Sequence, residues 1–331
     1  MSGNHNQSLD NALKIVETAA KSGASAIKLQ TYTPDTMTLN IKNDDFKIVS
    51  HDSLWNGEYL YDLYNKAYTP WDWHKEIFDY AKKLGLIAFS SPFDETAVEF
   101  LEDLDVPCYK IASFENIDLP LIEKVAKTQK PLFISTGLAN ESEITDAVEA
   151  ARDNGCNDLV LLKCTSKYPA EYADLNLKTI IDLKHKNKCW VGYSDHTIGT
   201  TAAIASIALG AVVVEKHLSL STTGKSVDSE FSANETTFKK LCEEIDCAFH
   251  SLGKVTYGPI ESEMDSLKFR RSIYIVKDID RGSILTTDNM KCIRPGYGLE
   301  PKHYNELIGK KVNCDLEMGA PMKLAYIATD Q

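Results

Sequence analysis

The sequence predicts an α/β fold: a (β/α)8 TIM barrel lacking its first strand within the chain, followed by a small β-rich C-terminal domain. Three observations predict it. Seven short apolar runs alternate with amphipathic helical patterns before residue 220. Nearly every run ends in a polar residue. No Gly-x-Gly-x-x-Gly or Walker pattern follows any run, which disfavours an open nucleotide-binding sheet.

The runs are Ala26–Gln30, Leu86–Ser90, Cys108–Ser113, Pro131–Ser135, Leu159–Thr165, Trp190–Ser194 and Ala211–His217. They are rich in Ile, Val, Leu and aromatics and lack polar alternation, as parallel strands buried on both faces do. The first helical pattern puts Leu9, Ala12, Leu13, Val16, Ala19 and Ala20 on one face, with Ser8 as N-cap and Gly23 as the stop. Lys83-Leu84-Gly85 and Ala208-Leu209-Gly210 end two later helices in the same way. The polar strand ends Gln30, Ser91, Ser113, Ser135, Ser166, Ser194 and His217 converge on the C-terminal face of such a barrel, where active sites are built. The opening Ser2-Gly3-Asn4-His5-Asn6 reads as a loop feeding the first helix, so strand one is expected upstream of Met1.

A long excursion to about residue 73 follows the first run. It is dense in aromatics, including Tyr32, Trp55, Tyr64, Tyr68, Trp71 and Trp73. It reads as a lid or ligand wall, or equally as a packed loop or subunit contact. A barrel over 1–252, a polar, turn-rich linker over 253–269 and a compact module over 270–331 complete the organisation.

Across 331 residues the formal net charge is −12, with 43% apolar and 25% charged residues. That excludes a disordered chain and argues against nucleic acid or an anionic membrane as partner. The eight cysteines form no Cys-x-x-Cys pair and read as thiols in a reducing compartment. The polar first residues are no signal peptide, and the apolar stretch Ala202–Val214 is too short to span a bilayer. A cytoplasmic protein is expected.

Lys28 and Lys110 lie within predicted strands, where an isolated ammonium is expensive and needs a counter-charge. Beside Ser91, Ser113, Ser135 and Ser194 they suit a phosphate pocket; a pair of structural Lys–Glu bridges is the alternative. His196 and His217 sit at neighbouring strand ends, in reach of one ion. Two imidazoles with carboxylate and water suit Mn²⁺, Fe²⁺ or Zn²⁺, whereas Mg²⁺ prefers more oxygen. Glu115, Glu215 and Asp228 are candidate acid–base or supporting groups, and His5 a candidate for the rim. His51, His74, His185, His250 and His303 are expected on the solvated surface.

Asn4-His5-Asn6, Lys28-Leu29-Gln30-Thr31, Ser90-Ser91-Pro92-Phe93, Lys110-Ile111-Ala112-Ser113-Phe114-Glu115, Ser135-Thr136-Gly137, Lys163-Cys164-Thr165-Ser166 with Tyr168-Pro169, Ser194-Asp195-His196 and Glu215-Lys216-His217 occur in this order. Together they resemble the sialic acid synthase family over nearly the whole chain. Tyr32-Thr33-Pro34-Asp35, Leu54-Trp55-Asn56-Gly57, Tyr68-Thr69-Pro70-Trp71 and Phe114 resemble its pseudaminic acid synthase branch.

The resemblance implies an antifreeze-like C-terminal domain around Arg294-Pro295-Gly296-Tyr297-Gly298 and a domain-swapped homodimer. It implies phosphoenolpyruvate as donor, a 2,4-diacetamido-2,4,6-trideoxy hexose as acceptor, and a divalent metal, Mn²⁺, Mg²⁺ or Co²⁺. By motif, Lys28, Lys110, Ser91, Ser113, Ser135, Ser166 and Ser194 would hold phosphoenolpyruvate, with Glu115 beside it. His196 and His217 would hold the metal. Gln30, Tyr168 and Asp228 would face the sugar, with Arg294 reaching it from the other subunit. Glu115 and Glu215 would support proton transfer and orientation. The family's strand-one Glu matches the position immediately before Met1. The alternatives are an N-acetylneuraminate or legionaminate synthase and, from another class, a truncated binding protein without activity.

Overall fold

The computed structural model describes residues 1–49, 54–221 and 226–328; His51 lies outside them. Two compact units divide the chain, Met1–Gly253 and Lys254–Gln331.

Among the described residues the first unit holds seven parallel strands in sequence order: β1 (Ala26–Thr31), β2 (Ile87–Pro92), β3 (Tyr109–Ile111), β4 (Leu132–Ser135), β5 (Leu159–Cys164), β6 (Trp190–Asp195) and β7 (Val214–Lys216). Helices α1 (Leu9–Lys21), α2 (Pro34–Met37), α3 (Leu60–Ala67), α4 (His74–Lys83), α5 (Glu95–Asp103), α6 (Leu119–Ala126), α7 (Glu141–Asp153), α8 (Thr179–Asn187), α9 (Thr201–Ala208) and α10 (Glu235–Leu252) run before, between and after the strands. The sheet is curled. A flat sheet would hold β1 and β7 about 29 Å apart, at about 4.8 Å per spacing. Instead Lys28 Nζ of β1 lies 3.2 Å from Glu215 Oε1 of β7. Residues ahead of α1 lie between these two edges: Met1 N donates to Lys28 O at 2.7 Å, and Asn4 Nδ2 to Leu218 O at 3.0 Å.

Local chemistry accounts for the elements. Ser8 Oγ accepts from Asn11 N and caps α1, whose Ala12, Ile15, Val16 and Ala19 are buried. Gly23 at φ +88° then lets the chain leave the helix in a conformation that resists a Cβ. One continuous core joins inward helix faces to the strands, with Ile15, Leu29, Ile77, Leu101, Tyr109, Leu132 and Leu161 fully buried. Two runs are shorter than the sequence predicts. Cys108–Ser113 yields only the three residues of β3, because Ser113–Glu115 turns into a 3-10 helix. Ala211–His217 yields only Val214–Lys216.

The second unit starts with a 3-10 helix, Glu261–Phe269, within the stretch expected as linker. Strands β8 (Ser272–Ile275) and β9 (Met290–Ile293) pair antiparallel, and four isolated bridges extend the β structure around a separate core of Ile273, Ile275, Leu285, Met290 and Met322. Short α11 (Tyr304–Leu307) packs Leu307 into that core. Among the described residues no helix is long and apolar enough to cross a membrane.

Candidate active site

Side chains at the C-terminal ends of the strands meet inside the curled sheet. Glu215 is their electrostatic hinge. Its Oε1 lies 3.2 Å from Lys28 Nζ and its Oε2 3.7 Å from Lys110 Nζ. Burial alone would raise its pKa, but Lys110 and Lys28 prevail and hold it far below the carboxylate range. Lys110 is 2% exposed. Burial, with Lys28 nearby, lowers its pKa, while Glu215 works the other way. Lys110 Nζ also donates to Ser135 Oγ at 2.6 Å, and Lys28 Nζ to Ser91 Oγ at 3.5 Å. The two lysines therefore share one counter-ion, and hydroxyls line the same mouth.

Ser113 and Ser166 close a cradle around Gly137, two residues past Ser135. An added Cβ there would lie 2.2 Å from Ser166 Oγ and 2.6 Å from Ser113 Oγ. Asn116 braces this loop, its Nδ2 donating to Ser135 O at 3.1 Å and to Gly137 O at 2.9 Å. Ser194, buried on β6, pairs in register with Cys164 and Glu215 and completes the ring. Gly137→Ala should overpack the cradle at a cost of about 1–3 kcal/mol. The expected result is a KM for an anionic ligand raised about tenfold or more with the secondary structure intact, read by ligand titration and circular dichroism.

Glu115 stands at the end of the 3-10 turn after β3, with Oε2 buried and without a hydrogen-bond partner among the described residues. Burial raises its pKa to about 7, against the opposing pull of Lys110. A group so placed holds or releases a proton near neutrality. The folded chain keeps this proton up to about pH 7, while the unfolded chain loses it near 4.5. Stability therefore falls as pH rises through that window. Glu115→Gln should gain on the wild type across the same window, by about 3 kcal/mol at most, and then stay level. Urea unfolding at a series of pH values checks this; a pH-independent difference would contradict it.

The two imidazoles come together as the strand ends require. The rings of His196 and His217 are 5.5 Å apart. His196 Nδ1 lies 3.0 Å from Thr165 O, so this nitrogen carries a proton and, in the neutral ring, Nε2 is the acceptor. His217 Nδ1 lies 3.1 Å from Ser2 Oγ, which itself donates to Asp228 Oδ2. That chain likewise leaves His217 Nε2 as an acceptor. Burial and the charges of His196 and Lys28 push the His217 pKa well down, so its ring is neutral. Burial lowers the His196 pKa, but its contact with Cys164 prevails and raises it. Two imidazoles fixed through Nδ1 suit a divalent cation whose other positions are filled by oxygen, which His196 would bind on giving up its second proton. No group of three or more His, Cys, Asp or Glu is placed to hold a metal among the described residues.

Aromatic rings wall this corner. Tyr168 lies 4.4 Å from His196 and 4.9 Å from Phe231 between centroids, and Trp55 lies 6.0 Å from Tyr168. Trp55 Nε1 donates to Val227 O at 3.1 Å, which packs the aromatic excursion against this corner. Asp228 is 8% exposed, and burial raises its pKa. Gln30 is next to last in β1, in register with Ser91. Arg294 is exposed in the second unit.

Two histidines differ from expectation. His74, expected at the surface, is fully buried. Its Nδ1 donates to Pro70 O at 3.2 Å and its Nε2 accepts from Thr31 Oγ1 at 2.9 Å. Thr31 in turn pairs with Ser90 Oγ at 2.6 Å, which ties the β1 and β2 ends together. His5, expected at the rim, is also fully buried, against Thr69 and Trp73. His185 and His250 are exposed, and His303 is partly so. Reasoning from sequence also missed Asn116 and the role of Cys164. The Cys164 Sγ lies 3.8 Å from His196 Nδ1; burial raises the thiol, but that contact prevails and brings it to about 7.

The NeuB family pattern matches residues 15–257 and the SAF domain pattern residues 270–326. Pseudaminic acid synthase of Campylobacter jejuni is 44% identical over 323 residues, 98% of this chain and 94% of that protein. Pseudaminic acid synthase of Helicobacter pylori is 43% identical over 323 residues, 97% and 94% of the two chains. The crystal structure of the N-acetylneuraminic acid synthetase of Leptospira borgpetersenii superposes with a TM-score of 0.71 at 29% identity, covering 81% of this chain and 88% of that one. A curled parallel sheet, a shared lysine–glutamate centre and a pattern match over most of the chain lead to one conclusion: the protein belongs to the NeuB family and carries a SAF domain.

Proposed function

We propose that this chain acts as a pseudaminic acid synthase. It condenses phosphoenolpyruvate with 2,4-diacetamido-2,4,6-trideoxy-L-altrose and water, and releases pseudaminic acid and phosphate by C–O cleavage. The observation that carries the reading is the 43–44% identity to two proteins of that name, over nearly their whole lengths.

The residues suit the chemistry. Lys28 and Lys110 neutralise the phosphate, while Ser91, Ser113, Ser135, Ser166 and Ser194 supply donors. A divalent cation, Mn²⁺, Mg²⁺ or Co²⁺, held by His196 and His217 would supply Lewis acidity at the sugar aldehyde. Gln30, Tyr168 and Asp228 face the sugar, and the site aligns the two substrates. The C3 carbon of phosphoenolpyruvate bonds to the aldehyde carbon, whose oxygen takes up a proton. Water adds at C2 and gives up a proton, and the C2–O bond breaks to free phosphate. Glu115, titrating near neutrality, can hold one of these protons, and Glu215 keeps both lysines oriented.

In this reading the SAF domain is an antifreeze-like cap that reaches the partner's site in a domain-swapped homodimer, in the cytoplasm. Arg294→Ala should then raise the KM for the sugar about 10–100-fold, the worth of one charge-assisted hydrogen bond. Phosphoenolpyruvate binding should not change. Unchanged sugar kinetics would remove Arg294 from the site.

The deciding experiment measures phosphate release by the full chain with phosphoenolpyruvate, metal and a panel of amino sugars. The L-altro deoxy diacetamido sugar should give the highest kcat/KM. Preference for N-acetylmannosamine or the legionaminate precursor would move the chain to another branch. Release without metal would contradict the metal assignment, and no release with any sugar would favour a binding protein.

A further inference from the structure

Asp195 and Lys216 are the sequence neighbours of His196 and His217, and they are register partners across β6 and β7. Strand alternation turns them to the face opposite the imidazoles. There Lys216 Nζ lies 2.7 Å from Asp195 Oδ2, with the two side chains 1% and 0% exposed. Lys216 Nζ also donates to Thr197 O at 2.7 Å. The other carboxylate oxygen, Oδ1, accepts from Thr197 N at 2.9 Å and from Thr197 Oγ1 at 2.8 Å. Both oxygens of the acid are therefore engaged, and the turn that carries His196 is closed onto the pair.

A buried ion pair adds little net stability, because desolvation offsets the attraction; fixing a register is its best-attested use. Here a register needs fixing. Strand β7 has three residues, lies at an edge of the sheet among the described residues, and is aligned to β6 by only three Cα pairs. A slip of one residue would swap the two faces, turning His217 outward and Lys216 inward. It would also strand Asp195 without its cation.

We propose that Asp195–Lys216 is a positioning clamp, which locks β7 against β6 and so sets the divalent-cation affinity of the His196–His217 pair. This rests on the metal reading given above, and the test separates the two. Mn²⁺ is titrated into the full chain, with the free ion followed by electron paramagnetic resonance. Saturable binding by the wild type is expected; its absence would overturn the metal reading and the clamp with it. Lys216→Met should weaken Mn²⁺ binding about 10–100-fold, the usual cost of losing an outer-shell support, and Lys216→Arg should keep most of the affinity. Because Lys216→Met alone strands a buried carboxylate, Asp195→Asn/Lys216→Met is the second probe. It retains the acceptor for Thr197 and buries no net charge. It should melt close to the wild type yet bind Mn²⁺ about tenfold or more weakly. Wild-type affinity in this folded double variant would overturn the clamp.

Discussion

Glu215→Gln is expected to lose about 3–5 kcal/mol at neutral pH, the cost of removing one partner from a buried ion pair. The reason is the sharing described above: one carboxylate answers Lys28 at 3.2 Å and Lys110 at 3.7 Å. Without it two ammonium groups face each other, one of them on a side chain 3% exposed. The sign with pH follows from the same geometry. Glu215 ionises far more readily in the folded chain, so its contribution is complete above the ordinary carboxylate pKa of 4.5 and fades as pH falls toward its depressed folded value. The variant should thus differ most from wild type at pH 6–8, with a Tm lower by roughly 6–15 °C, and the gap should narrow in acid. An anion can replace the lost charge. Phosphoenolpyruvate should raise the Tm of Glu215→Gln more than that of the wild type. Equal ligand-induced shifts would mean that the lysines do not form the anion site.

The seven parallel strands of the first unit's described residues lay open in the sequence, because strands buried on both faces leave uninterrupted apolar runs. The shortening of the 108–113 run was hidden, since Ala112 and Ser113 fit a strand as well as a turn; the turn arises where Ser113 must meet Gly137. The paired histidines were legible from position, because they follow adjacent strands, and the paired lysines because β1 and β3 open onto the same face of the sheet. The identity of their common counter-ion was not, because Glu215 joins β1 and β3 to β7 only when the sheet curls. His74 shows the same limit. Its surroundings are supplied by Thr31, Pro70 and Phe100, and no local pattern distinguishes a buried imidazole from an exposed one on helix α4. Asn116 likewise gains its role from two carbonyls at the end of the next strand.

His217→Ala should lower metal-dependent phosphate release by about three orders of magnitude, the rate equivalent of several kcal/mol of Lewis-acid stabilisation. Its ring does two separable things. It packs edge-on against Phe231 at 5.0 Å, and it offers Nε2 because Nδ1 is tied to Ser2. His217→Phe keeps an aromatic ring against Phe231 and removes both nitrogens. If packing were the ring's purpose, His217→Phe would restore turnover. If ligation is, both variants should fall together while phosphoenolpyruvate still binds, because the lysine cradle depends on Glu215 rather than on His217. Chelation supplies the control. Stripping divalent ions from the wild type should cost as much as the mutation, and a chelator should do nothing further to His217→Ala. A variant that turns over normally in added metal, or stays sensitive to chelation, would show that the cation sits elsewhere.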